Sequence, residues 1–280
     1  MTGEIKPIRY RIAKMLAMKK LLLQLSFFIP MCSLSAQTAD DIVAKYVAAL
    51  GGMEKLKTVK TLYMEGSQEM MGNEMTVRIT KEQGKLSRRE FDMAGATGFF
   101  LVTDKEAWNY MPMRAQQPTQ MPAEALPGMQ SELDIFGPLV NYAEKGNTVE
   151  LVGKDSANGK SCFKLKMTNA SGRDMSYWID DATYLLVQST ARGGFMGGGR
   201  RGGGGGGGEP GGNAGGPPRQ ERERRERFML YNDYKPVDGI LFPHNIEMYV
   251  PGGEGPVGGG TTFDKIEINK PVKPELYKPE

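Results

Sequence analysis

The sequence predicts a mainly-β fold with a few helices: an antiparallel meander of roughly a dozen short strands that curls into a barrel or half-barrel. Three stretches carry that reading. Met75, Val77 and Ile79 alternate with Glu74, Thr76, Arg78 and Thr80, so one face is apolar and the other wet. Phe163, Leu165 and Met167 alternate with Lys164, Lys166 and Thr168, and Met175, Tyr177 and Ile179 with Asp174, Ser176 and Trp178. Turn signals at Met71-Gly72-Asn73, Gln83-Gly84-Lys85, Asp104-Lys105-Glu106, Asn158-Gly159, Ser171-Gly172 and Asp238-Gly239 separate such runs.

The chain begins with an export signal, over Met18 to Ala36. Lys19 and Lys20 supply positive charge, Leu21 to Ile29 an apolar stretch, and Ser33-Leu34-Ser35-Ala36 small residues for cleavage. Cleavage after Ala36 leaves Gln37 first; Leu34 fits poorly two residues earlier, so cleavage after Ser35 is the alternative. The apolar run is about a dozen residues, short of the roughly 18–20 that span a bilayer, so no stable span is expected after cleavage. Residues 1–17 have no clear pattern and read as a non-native leader before a start at Met15 or Met18. Cys32 is not a lipidation site, because Met31 stands where a small residue is required. The expected compartment is the periplasm.

Cleavage changes the composition that matters. The full chain has 36 Lys+Arg and 33 Asp+Glu; residues 1–36 hold six bases and one acid, which leaves 30 against 32, or −2. Nucleic acid is therefore not an expected partner. Cys162 alone survives, so no intramolecular disulfide forms, and 244 residues can bury a core without one.

The mature chain, 37–280, reads as one domain. A helix comes first: Thr38 or Asp40 caps it, Ile42, Val43, Tyr46, Val47, Ala49 and Leu50 recur at helical spacing, and Gly51-Gly52 stops it. Met53 to Lys57 adds a further turn. Strands follow at 62–70, 75–79, 86–93, 97–103, 107–111, 148–152, 163–167, 175–179, 185–191, 227–234, 241–249 and 262–269. Two breaks interrupt them. Residues 112–143, rich in Pro, Met, Gln and Ala, read as short helices. Residues 193–218, with 16 glycines among 26 residues, read as a disordered loop inside a hairpin, because the runs near Leu186 and Phe228 look like strand partners.

This arrangement resembles the LolA/LolB-type lipoprotein carriers, in particular outer-membrane lipoprotein-sorting-like proteins of Bacteroidetes type. The residues that carry the likeness are Ile42 to Gly52, Val59-Lys60-Thr61-Leu62, Glu106-Ala107-Trp108, Phe136 to Tyr142, Val149 to Gly153 and Val237 to Pro243. The resemblance implies an unclosed half-barrel of about 11–12 strands with helices as a lid over an apolar cavity. It implies lipid or lipoprotein acyl chains as the cargo, a monomer, and no enzymatic activity or cofactor. The candidate lining is Met75, Val77, Ile79, Phe91, Phe99, Leu101, Trp108, Tyr110, Met111 and Phe136. The same residues suit the filled core of a small barrel, and that alternative stands beside the cavity. LolA-type carriers latch the lid with an arginine on an early strand; Thr58–Met70 has none, and Arg78, Arg88 and Arg89 lie on later strands.

Nothing points to catalysis or a metal. His244, in Phe242-Pro243-His244-Asn245, is the only histidine and lacks ligand partners at zinc spacing. Cys162 alternates onto the polar face beside Lys160 and Lys164, with no base at hand. Asp180-Asp181 closes a turn. Arg192-Gly193-Gly194 and Arg200-Arg201-Gly202 resemble nucleic-acid-binding RGG segments, but export and scarce aromatics favour a solvated loop. The expected function is a non-enzymatic envelope carrier of lipid or lipoprotein acyl chains. The alternative is an envelope interaction module with a filled barrel and a Gly/Arg-rich loop for a protein partner.

Overall fold

Thr38 sets where the fold begins. In the computed structural model, which describes residues 37–280 apart from 71, 94, 192–226, 251–254 and 257–258, the Thr38 hydroxyl accepts from the Asp41 N–H at 3.1 Å, and the Asp41 carboxylate accepts from the Thr38 N–H at 3.1 Å. This reciprocal cap starts α1, Ala39–Leu50. Gly51, at φ 132°, ends it by donating to Ala48 O at 3.1 Å. A short α2, Met53–Leu56, follows. Ile42, Val43, Tyr46, Val47 and Leu50 form the buried face of α1. The expected export signal and the glycine-rich insert lie outside the described residues. No helix among the described residues is long and apolar enough to cross a membrane.

Among the described residues, thirteen strands form one antiparallel sheet. They are β1 (Thr61–Met70), β2 (Asn73–Glu82), β3 (Leu86–Met93), β4 (Ala96–Thr103), β5 (Ala107–Tyr110), β6 (Thr119–Gln120), β7 (Thr148–Ala157), β8 (Lys160–Thr168), β9 (Asp174–Asp180), β10 (Leu186–Ala191), β11 (Arg227–Val237), β12 (Ile240–Tyr249) and β13 (Thr261–Ile268). The order is β6-β5-β4-β3-β2-β1-β13-β12-β11-β10-β9-β8-β7. The chain thus lays down β1 to β6 outward, restarts at the opposite edge with β7, and returns until β13 pairs with β1. β6 and β7 remain as free edges, so the barrel is unclosed, as expected. Ala191 pairs with Arg227, so the strands flanking the glycine-rich insert are hairpin partners. β6, a two-residue strand in the proline-rich stretch, is the element the periodicity does not reveal; two residues are too few to show a period.

The sheet curls. α1 packs against both β12 and β7, five ladder steps apart in the sheet order. That is about 24 Å on a flat sheet, against a helix roughly 10 Å wide. The sheet must therefore wrap the helix, and the helix face is the concave face. On it α1 meets Leu165, Met167, Tyr177, Ile179, Ile240, Phe242, Phe263 and Ile266, which form the main core.

The segment between β6 and β7 has to cross from one free edge to the other. The expected short helices there are 3₁₀ turns, Ala123–Gly128 and Gln130–Leu133, followed by further turns to Gly146. Pro122, Pro127 and Pro138, with Gly128 and Gly137, deny this stretch continuous α-helical bonding. Leu133 is its anchor, packed on Val102 and Ala107 of the concave face with Met121, Leu126 and Met129 around it.

The seam between the two meanders is tight. The β1–β13 register shifts at Glu65/Gly66, and a Cβ at Gly66 would stand 1.9 Å from Thr262 O. Gly66→Ala is expected to destabilise the protein by about 3 kcal/mol or more, because backbone and not a flexible side chain blocks the space. Urea unfolding checks this; wild-type stability would refute the seam geometry.

Candidate functional site

Strands β2 to β5 form the half of the concave face that α1 does not fill. Their register is a set of lanes: Met64, Ile79, Arg89, Phe100 and Asn109 lie side by side on consecutive strands, and Val77 and Phe91 pair next to them. Met75, Val77, Phe91 and Phe100 pack together with Ile79 and Met111. Phe91 and Phe100 meet at a ring-centroid distance of 5.6 Å. Phe136, on the crossing segment itself, packs against Phe242 of the main core at 5.8 Å.

Two cations lie on this face: Lys81, which donates to Asp134 O at 3.3 Å, and Arg89, in the central lane. The Arg89 Nη2 donates to Thr261 Oγ1 at 3.3 Å, and Thr261 in turn donates to Gln68 Oε1 at 3.2 Å. β3 and β13 are three ladder steps apart, so this bond also requires the curl. Burial among apolar neighbours lowers the guanidinium pKa, while the charge of Glu132, on the second 3₁₀ turn, works in the opposite direction. Among the described residues no carboxylate forms an ion pair with Arg89.

Arg88, one residue away, points to the convex face and is saturated. It pairs with Glu90 at 2.9 Å, donates to Lys278 O at 2.7 Å, and lies 4.2 Å over the Phe99 ring. There it clamps the C-terminal tail, whose Val272, Leu276 and Tyr277 cover Leu86, Phe99, Leu101, Trp108 and Tyr110.

The ten sequence-derived lining candidates therefore divide. Met75, Val77, Ile79, Phe91, Met111 and Phe136 lie on the concave side. Phe99, Leu101, Trp108 and Tyr110 share the convex face under the tail, so they do not line a common surface with the other six. The reason is β4, Gly98-Phe99-Phe100-Leu101-Val102, which is apolar on both faces and carries no period-two signal to orient it. The sequence left Arg89 without a role among three arginines on later strands, and Phe100 and Asn109 were not among the candidates; the alternation Ser87, Arg89, Phe91 is the signal that could have placed Arg89.

The tempting single residues are structural. His244 lies within β12, and its Nδ1 is 3.1 Å from Phe242 O. No group of His, Cys, Asp and Glu suited to a metal occurs among the described residues. Asp180 accepts from the N–H groups of Ala182 and Thr183 at 2.9 and 3.0 Å, as a turn residue does. Cys162 departs from expectation. It does face away from the core, but that face is dry there: Cys162 is fully buried with Ala157, Trp178, Val187 and Phe228. Burial raises its thiol pKa.

A second concavity, an open groove of about 540 Å³, runs between α1 and the turn at 141–144. Val43, Val47, Met53 and Tyr142 line it, and Asp40 and Glu144 rim it. The Tyr142 hydroxyl donates to the Asp40 carboxylate and ties the crossing segment to the start of α1.

An incomplete antiparallel barrel wrapped on one N-terminal helix, with a crossing segment over its concave face, is an architecture with known examples. A LolA superfamily protein from Nitrosomonas europaea superposes with a TM-score of 0.50 at 11% identity, over 86% of this chain and 97% of that one. The chain has the LolA-type fold. A DUF1329 family protein from Desulfovibrio piger superposes with a TM-score of 0.50 at 12% identity, over 85% of this chain and 97% of that one. No family model matches the sequence, and no curated protein does. At such identities the LolA-type likeness is one of fold, and site chemistry has to be read from this chain's own residues.

The packing of Cys162 makes a checkable statement. In the chain starting at Gln37 the thiol is expected to resist an aqueous disulfide reagent in the native state and to react fully on unfolding. Rapid stoichiometric labelling of native protein would contradict the dry convex cluster.

Proposed function

We propose that this chain is a non-enzymatic carrier of the cell envelope, exported to the periplasm as a monomer, that shelters lipid or lipoprotein acyl chains on its concave face. The observation that carries this reading is the mismatch between that face and its cover. Met75, Val77, Phe91 and Phe100 form a buried apolar cluster, yet the part of the crossing segment that reaches this half, at β3 and β4, consists of two 3₁₀ turns with one buried residue, Leu133. Such turns have poor hydrogen-bond geometry and open at low cost. Each methylene sheltered from water is worth about 0.8 kcal/mol, so an alkyl chain can replace the cover's few contacts. The LolA-type fold supports the reading as an analogy of architecture.

The filled-barrel alternative is supported by the other half of the concave face, where α1 leaves a closely packed core. The two readings differ in what the β2–β5 half does. The chain starting at Gln37 should take up a neutral hydrophobic fluorophore, and a phospholipid should displace it. Met111→Asp, on the concave side, is expected to cut uptake at least about tenfold. Tyr110→Ser, its chain neighbour on the convex face, should leave uptake near wild type. Absence of uptake by the wild-type protein would overturn the carrier reading in favour of the filled barrel.

A further inference from the structure

Arg89 sets a requirement that an apolar carrier surface alone does not explain. A guanidinium has five N–H donors and cannot shed its charge to escape a poorly solvated site. Where this chain uses an arginine for structure, it satisfies it: Arg88 has a carboxylate, backbone carbonyls and an aromatic face. Arg78 has a two-pronged pair with Asp92, both bonds at 2.8 Å. Arg89 has one hydroxyl at 3.3 Å. It is not sealed off: the residue keeps partial solvent access, and its register with Ile79 and Phe100 places it on the concave face.

Two further facts lie on the same surface. Asn109, two strands from Arg89 with Phe100 between them, has a buried Oδ1 without a hydrogen-bond partner. An amide in that position can turn to offer either its oxygen or its NH₂. Glu132 is the acid whose charge reaches Arg89, and it is exposed on the 3₁₀ cover with no ion pair among the described residues. A cover that opens takes this charge away and leaves the guanidinium facing whatever enters.

We propose that the concave face of β2 to β5 selects a single-chain amphiphile with an anionic oxygen head group, which Arg89 binds while the alkyl chain lies along Ile79, Phe91, Phe100 and Met111. This rests on the carrier reading and narrows it. A carboxylate or phosphate head pairs with a guanidinium through two parallel N–H···O bonds, and burial strengthens such a pair relative to water. A neutral head would leave the cation as poorly compensated as it is in the free protein, so the site should discriminate by charge and not by chain length alone.

The test uses the chain starting at Gln37, loaded with a neutral naphthylamine fluorophore, and three competitors of equal chain length: palmitate, hexadecyl phosphate and hexadecanol. The expected result is displacement by palmitate, hexadecyl phosphate or both at a concentration at least about tenfold lower than by hexadecanol. Whichever anion is the stronger identifies the head group as carboxylate or phosphate. Arg89→Gln is expected to keep fluorophore uptake and lose the preference for anions; Arg78→Gln, on the convex face, should keep both. Equal displacement by all three competitors of wild-type protein would overturn the proposal while leaving the carrier reading intact. Failure of the fluorophore to bind at all would remove both. An Arg89→Gln protein that folds and still prefers anions would also overturn it. If that variant fails to fold, the wild-type comparison decides alone.

Discussion

The structure depends on one pairing, β1 with β13. Each other ladder joins strands that follow one another along the chain, and hairpin turns can form those locally. The β1–β13 ladder joins residues near 65 to residues near 263. It converts two separate meanders into one sheet, and so it decides that free edges fall at β6 and β7. From there the crossing segment has no choice of route: it must pass from one edge to the other. The path lies over the concave side, where Leu133 finds Val102 and Ala107. The cover is thus a consequence of strand order before it is a functional device. The bare Cα at Gly66, against Thr262 O, is the local concession that lets the seam bend.

The two faces of the sheet solve opposite problems. The convex face is sealed, by the tail over Phe99 and Leu101 at one end and by the Trp178–Phe228 contact around Cys162 at the other. Around that second cluster Asp155 accepts from Trp178 Nε1 at 3.0 Å and from Lys164 at 3.1 Å, which holds its carboxyl down at about 2. Half of the concave face is likewise finished, packed against α1. Among the described residues, the β2–β5 half is where a buried apolar cluster, a cover of weak turns and a cation with one hydrogen-bond partner come together. Adjacent residues show the division: Arg88 holds the tail in place, and Arg89 faces inward with one hydrogen bond among the described residues.

Much of the fold was legible because it is local. The cap at Thr38, the α1 face and the Gly51 stop follow from helical spacing. The alternation in β2, β8 and β9 follows from strands with one wet face. The hairpin relation of β10 and β11 was legible across a long insert because the strands on either side match. The site was legible less well. Met75, Val77, Ile79 and Phe91 sit on strands whose polar neighbours orient them, and they fell on one face. Phe99, Leu101, Trp108 and Tyr110 belong to β4 and β5, where both faces are covered, and composition alone could not separate them.

By itself, the sequence determined the class of fold, the helix and its limits, and the position of most strands. Each of these is set by residues within a few positions of one another. Tertiary structure alone decided which strands meet at the seam, that the crossing segment runs as 3₁₀ turns over the concave face, that Cys162 is dry, and that Arg88 and Arg89 have different fates. Those outcomes depend on which surfaces the curled, unclosed sheet leaves covered or open. A residue's own neighbours in the chain carry no record of that, because the partners arrive from β13, from the tail and from the opposite edge of the sheet.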